Sequence, residues 1–238
     1  MDIRDKMVLI TGASAGIGLA TAHRFAVAGA KLALVARSAD ALTHLAEELQ
    51  RQGGDAVALP ADVSDPKQVQ QVIEETVRHF GRLDVVINNA GQAAAGTIAD
   101  LDPDDFRKIL DLNVFGPLAA MQAVIPIMRE QGGGLIINVS SMVSKMHIPG
   151  LAAYAATKAA LNMLSDTARV ELASEHIRVI TVYPRVTATD FGKNSLGNQR
   201  VRQQQRQGSP IPADTPELVA EKILAAALHE PDEQYMDQ

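Results

Sequence analysis

Cysteine is absent from the 238 residues, which excludes both a disulfide framework and a thiolate metal site. A reducing compartment suits such a chain, and a cytoplasmic location is expected. Positive charge is also in short supply: 22 Lys and Arg stand against 28 Asp and Glu, a formal net charge of −6. A general nucleic-acid binder needs clustered cations to displace phosphate counterions, so no nucleic-acid partner is expected. No apolar run approaches the roughly 18 residues that a bilayer span requires, and the opening MDIRDKMVLITG lacks a signal-peptide layout. No internal repeat occurs, and no cluster of side chains suggests a metal. The remainder is ordinary globular composition, 47% hydrophobic and 21% charged, in a length that suits one large domain with a substantial core.

Short β-branched runs alternate with longer amphipathic stretches. Strands are expected over 7–11, 31–37, 56–62, 84–90, 135–141 and 178–184. These runs are continuously apolar, as befits strands covered on both faces. Helices are expected near 17–28, 40–52, 66–80, 103–130 and 153–173, with a last one from about Glu217 to Leu228. The fourth opens on Asp102 as N-cap and Pro103 at the first helical position, while Pro117 and Pro126 predict a bend or an early stop. Such alternation implies right-handed crossovers and a parallel sheet, hence an α/β fold: one Rossmann-type, doubly wound domain over 1–238 with six to seven strands and helices on both faces. The stretch NQRVRQQQRQGSP (198–210) breaks the pattern and reads as a mobile loop or weak helix.

The first strand runs directly into TGASAGIG, with Gly12, Gly16 and Gly18 in a turn that leads into a helix. There the backbone of Gly12, Ser14, Ala15, Gly16, Ile17 and Gly18 can approach a pyrophosphate placed over the helix N-terminus. The spacing is G-x-x-x-G-x-G rather than G-x-G-x-x-G. At the end of the second strand, an acidic residue would bind the adenosine ribose and repel a 2′-phosphate. This chain has Arg37 and Ser38 instead, so NADP(H) is expected in preference to NAD(H); the alternative is a solvated arginine at a strand end. Asp62 and Val63, after the third strand, could meet the adenine edge, or Asp62 is a simple loop aspartate.

TGASAGIG, NNAG at 88–91, Asn113, Ser141, Tyr154-x-x-x-Lys158 and Pro184 occur in the order and spacing of the short-chain dehydrogenases/reductases, and from about residue 6 to 191 the chain resembles that family. The resemblance implies nicotinamide at the C-terminal edge of the sheet and catalytic positions for Asn113, Ser141, Tyr154 and Lys158. Asn89, Ala90, Gly91, Pro184, Thr187 and Thr189 would line the cofactor together with Tyr154 and Lys158. Two departures stand out. Arg185 follows Pro184 where the family often has glycine, and only EQYMD (233–237) could serve as a last strand. Since that region commonly helps to build a tetramer in the family, a homodimer is as plausible as a homotetramer.

Tyr154 and Lys158 are four apart and therefore share one helix face. Free tyrosine titrates near pH 10, and an ammonium about 4 Å away at an effective dielectric of about 20 is worth about 4 kcal/mol toward the phenolate. The expectation is a phenol brought close to neutrality. Tyr154 then exchanges a proton with a carbonyl or alcohol oxygen and Ser141 hydrogen-bonds that oxygen. Lys158 anchors the nicotinamide ribose, and Asn113, as the resemblance suggests, holds a relay water. Ser140 is an alternative to Ser141, although the spacing of thirteen to Tyr154 favours Ser141.

The substrate is expected to be a small-molecule carbonyl or secondary alcohol, most simply a lipophilic ketone or aldehyde. His147, Ile148 and Leu151 form one wall, Arg185 and Phe191 lie nearby, and 190–212 closes as a lid. A second enzyme reading is reduction of 3-oxoacyl thioesters, with Lys193, Arg200, Arg202 and Arg206 meeting the phosphates of a carrier. A third, non-catalytic reading is an NADPH-binding sensor.

Overall fold

The computed structural model describes residues 1–197 and 212–237. The expected loop at 198–210 lies outside the described residues, as does most of the expected lid. Seven strands, all parallel, form the central sheet: β1 (Met7–Thr11), β2 (Lys31–Ala36), β3 (Asp55–Pro60), β4 (Val85–Asn88), β6 (Gly134–Val139), β7 (Ile177–Tyr183) and β9 (Glu233–Tyr235). Their order is β3-β2-β1-β4-β6-β7-β9. A separate parallel pair joins β5 (Ala94–Ala95) to β8 (Leu196–Gly197). The helices are α1 (Gly16–Val27), α2 (Ala39–Arg51), α3 (Pro66–Phe80), α4 (Pro103–Leu110), α5 (Gly116–Glu130), α6 (Ala152–Leu172) and α7 (Pro216–His229).

The period-two geometry of a strand divides each apolar run between two cores. Val8, Ile10, Leu32, Leu34, Ile87 and Ile137 pack with Phe25, Leu42 and Ile223 on one face. Met7, Leu9, Val35, Val86, Ile136 and Val179 pack with Val72, Ile73, Val124 and Met128 on the other. This is why the strands read as continuously apolar. The chain lays β2 and β3 to one side of β1, then β4 and its successors to the other. The strand order therefore reverses between β1 and β4, and ligands bind beyond the carboxyl ends of the strands at such a point.

Several elements end earlier than the sequence suggests. β4 stops at Asn88 because the Asn89 and Ala90 amides both donate to Thr11 Oγ1 at 3.0 Å. β6 stops at Val139 because Ser141 turns to cap a 3₁₀ helix over Met142–Lys145. The expected single helix over 103–130 is broken by a π-helical turn over Asp111–Phe115, with Pro117 in the first turn of α5 and Pro126 inside it. By length and composition this α4–α5 stretch is apolar enough to cross a membrane, yet Ala120, Met121, Val124 and Met128 are buried against the sheet. Asp102 caps α4 as expected, accepting from the Asp104 amide at 2.8 Å. EQYMD does supply a seventh strand, since β9 pairs with β7 through Thr181–Glu233, Val182–Gln234 and Tyr183–Tyr235.

Candidate active site

The glycine turn is built for close approach. Gly12 and Gly16 have φ of +68° and +55°, a left-handed region that glycine enters without penalty. A Cβ on Gly18 would stand 2.1 Å from the Gly12 carbonyl oxygen and 2.6 Å from Asn89 Nδ2. Asn89 Nδ2 donates to Thr11 O at 2.9 Å, so the NNAG segment is stitched to the turn. α1 begins at Gly16 with no side chain capping it, so the first amides of the helix have no side-chain acceptor and could serve an anionic group. Ser14 and Ile17 are half-buried beside the turn and Ala15 is exposed. This cradle fits a dinucleotide pyrophosphate.

At the end of β2, Arg37 and Ser38 are both exposed, and the Ser38 hydroxyl does not cap α2. The Asp62 carboxylate, by contrast, is engaged locally, accepting from the Ser64 amide at 3.0 Å and hydroxyl at 2.7 Å. Val63 is buried in the core, its carbonyl only 2.5 Å from where a Cβ on Gly116 would stand. Asp62 is thus first a turn-forming aspartate.

Ser141, Tyr154 and Lys158 are 8%, 9% and 4% exposed, all effectively inside the protein. The Ser141 hydroxyl lies beside the Tyr154 phenol and favours its charged form. Ser140 instead donates to Asn162 Oδ1 at 2.5 Å, so the neighbouring serine faces away from the phenol. Lys158 Nζ donates to the Val139 carbonyl at 2.8 Å and lies 5.9 Å from the Tyr154 ring centre. The expected fall of the phenol toward neutrality is not what this environment produces. Burial pushes Tyr154 up to about 12, against a lowering by the neighbouring Ser141 hydroxyl. Burial also pulls Lys158 down to about 8. Desolvation disfavours the charged form of each group, and here it is the leading cause of both shifts.

Asn113 is fully buried in the π turn, a local geometry that recurs at functional sites. Its Nδ2 donates to Gln92 O at 2.8 Å and Thr157 Oγ1 at 3.0 Å, while Oδ1 accepts from the Gln92 amide at 2.9 Å. Both amide hydrogens are therefore committed, and only the second lone pair of Oδ1 could take a water. Gly91 sits between the two groups of the expected relay: a Cβ there would come within 3.2 Å of Asn113 Oδ1 and 3.6 Å of Lys158 Nζ.

Beyond β7, the Pro184 carbonyl accepts from the Met142 amide at 2.9 Å. Arg185 replaces glycine without strain, because the non-glycine residues with positive φ among those described are Asp5, His176 and Glu230. Its guanidinium forms a two-pronged pair with Asp214 at 3.1 Å for each contact. Thr187 bridges to Asp214, and Thr189 packs its methyl group 3.1 Å from where a Gly16 Cβ would stand. The Phe191 ring lies 5.6 Å from the Tyr154 ring, tilted by 56°. His147 is exposed, while Ile148 and Leu151 are half-buried.

Sequence reasoning missed Gln92, whose Nε2 donates to Asn194 O at 2.6 Å. It also missed Asp214 and Asn162. Their partners are distant in the chain, so no local spacing marks them.

Comparison with known proteins accords with this geometry. The family model described as short chain dehydrogenase matches residues 6–200. The chain is 33% identical over 230 residues to the dehydrogenase/reductase SDR family member 7B of Bos taurus, covering 94% of this chain and 71% of that protein. It is 37% identical over 190 residues to a 3-oxoacyl-[acyl-carrier-protein] reductase of Synechocystis, covering 79% and 77%. Among solved structures, a 7α-hydroxysteroid dehydrogenase complexed with NADH and 7-oxo glycochenodeoxycholic acid superposes with a TM-score of 0.87 at 30% identity, over 98% of this chain and 94% of that one. With a sheet, a glycine cradle and a serine–tyrosine–lysine group all in accord, this chain belongs to the short-chain dehydrogenase/reductase family, oxidoreductases that use a nicotinamide cofactor.

Proposed function

We propose that the protein reduces a lipophilic ketone or aldehyde at the expense of NADPH, with Tyr154 as proton donor. The observation that carries this reading is the shared burial of Ser141, Tyr154 and Lys158, with Lys158 Nζ 5.9 Å from the Tyr154 ring centre and Ser141 beside the phenol. Held near 12, Tyr154 stays protonated at neutral pH, the form that a donor to a carbonyl oxygen must have. Ser141 orients that oxygen. Lys158, pulled to about 8, still carries its proton at neutral pH and stabilises the phenolate that develops as the proton leaves. The nicotinamide supplies the hydride when bound. The turn at 12–18 and the uncapped start of α1 would hold the pyrophosphate.

Preference for NADPH rests on Arg37, which has no carboxylate partner among the described residues, beside the free Ser38 hydroxyl. A guanidinium and a hydroxyl suit a 2′-phosphate. The Phe191 ring against Tyr154 supports an apolar substrate wall. Phe115, Met163 and Val170 are 50%, 68% and 79% exposed, and the last two, seven apart on α6, offer an apolar face that supports a homodimer or homotetramer.

Similarity to the Synechocystis protein favours a second reading, reduction of a 3-oxoacyl thioester. Lys193 is paired with Asp190, and Arg200, Arg202 and Arg206 lie outside the described residues. One assay separates these readings: consumption of NADPH or NADH with 1-phenyl-1,2-propanedione, ethyl acetoacetate and acetoacetyl-CoA. The expected result is higher kcat/KM for the aryl ketone than for the thioester, with NADPH preferred. Replacing Arg37→Asp is expected to reverse the cofactor preference, and an unchanged preference contradicts the assignment. Tight cofactor binding without turnover of any member points to the sensor instead.

A further inference from the structure

Three buried or half-buried side chains behind the reacting group, Ser140, Asn162 and Ser144, form a hydrogen-bonded chain that ends on the Ser141 carbonyl. Asn162 follows Lys158 by four residues and Tyr154 by eight, so all three lie along one face of α6. It is 8% exposed, and its amide works in both directions. Oδ1 accepts from Ser140 Oγ at 2.5 Å, and Nδ2 donates to Ser144 Oγ at 2.9 Å. Ser144 Oγ in turn donates to the Ser141 carbonyl at 2.7 Å, which also receives the Ser144 amide at 3.1 Å. The Val143 amide donates to Ser141 Oγ at 3.2 Å.

Ser141 is therefore bracketed. One arm of the Asn162 amide holds the strand end just before it, and the other holds the 3₁₀ turn just after it. Only a side chain that is donor at one end and acceptor at the other can grip both hydroxyls in this sense. Because Asn162 shares its helix with Tyr154, the arrangement ties the backbone carrying the serine to the backbone carrying the phenol.

We propose that Asn162, acting through Ser144, is a positioning residue that fixes Ser141 relative to Tyr154 for proton transfer. The inference rests on the assignment of Ser141 and Tyr154 to the reaction made above. Without the amide, the Ser144 hydroxyl is free to turn from the Ser141 carbonyl, and the 3₁₀ turn loses its tie to α6. The substrate wall and the cofactor cradle are left in place, so kcat suffers and KM does not.

The test is steady-state kinetics on the purified full chain with 1-phenyl-1,2-propanedione, ethyl acetoacetate and acetoacetyl-CoA, using NADPH, for Asn162→Leu, Ser144→Ala, Ser144→Thr, the Asn162→Leu/Ser144→Ala pair and Tyr154→Phe. Misplacement of a reacting group by about 1 Å costs on the order of 10² in rate. Asn162→Leu and Ser144→Ala are therefore expected to lower kcat by about 10- to 100-fold with KM within about twofold. Ser144→Thr, which keeps the hydroxyl, is expected to stay within about twofold of the parent chain. The double variant should fall no further than Asn162→Leu alone, because both changes break one chain. Should Asn162→Leu fail to fold, Ser144→Ala and Ser144→Thr carry the comparison. Unchanged kcat in Ser144→Ala beside an inactive Tyr154→Phe overturns this inference alone. An active Tyr154→Phe, or no turnover of any of the three carbonyls by the parent chain, overturns the underlying assignment and the inference with it.

Discussion

Lys158 is 4% exposed, and burial draws its proton affinity from the ordinary 10.5 down to about 8. Between those values the unfolded lysine binds more protons than the folded one, so stability rises with pH across that window and the cost is fully present below it. The gap corresponds to about 3 kcal/mol at neutral pH. Tyr154 acts oppositely: its folded value of about 12 lies above the ordinary 10, so its contribution is complete below pH 10 and is lost as pH rises toward 12. Lys158→Met is therefore expected to be more stable than the parent chain at pH 7, by up to about 3 kcal/mol, and to lose the rise between pH 8 and 10.5. Urea denaturation at a series of pH values measures this, and equal curves for both chains contradict it. Both residues were legible in the sequence from a spacing of four. The direction of their shifts was not, because desolvation depends on what closes over them, and Phe191 arrives from 37 positions beyond Tyr154.

The strand–turn–helix unit from β1 into α1 shows how local sequence builds a site. TGASAGIG marked the turn, and its glycines prove to be demanded by contacts that a Cβ would destroy, Gly18 most severely. Gly18→Ala must displace the Gly12 carbonyl or Asn89. Cofactor affinity is expected to fall at least about tenfold together with the melting temperature, since close backbone approach is what the glycine permits. Fluorescence titration with NADPH reads the affinity, and unaltered binding contradicts the close-packing argument. Elsewhere, element ends were less legible than element cores. Residues 88–90 looked like the end of a strand, yet Thr11 Oγ1 draws the Asn89 and Ala90 amides out of the ladder. The break at the π turn holding Asn113 was legible from Pro117, which cannot donate to the Asn113 carbonyl four residues before it, whereas the Asn113 side-chain bonds to Gln92 and Thr157 were not.

Over the whole molecule, the parallel, doubly wound sheet followed from alternation, whereas the strand order and the contacts between distant segments did not. Arg185 looked like a defect in a family pattern. In the fold it clamps Asp214, while Ala188 N donates to Asp214 O at 2.9 Å and Asp214 N donates to Val186 O at 2.8 Å, so residues 185–188 are tied to Asp214. Arg185→Gly is expected to speed amide hydrogen exchange over 187–197 while leaving the amides of β1, β4 and β6 protected. Unchanged exchange over 187–197 contradicts the clamp. The same segment brings Phe191 onto Tyr154, which joins the long-range architecture to the reacting phenol. The central claim is that this phenol passes its proton to the substrate oxygen. It is tested most directly by the turnover of Tyr154→Phe in the carbonyl assay, with NADPH binding measured alongside. Loss of kcat by about 10² to 10⁴ with binding retained is the predicted result, and turnover near that of the parent chain contradicts it.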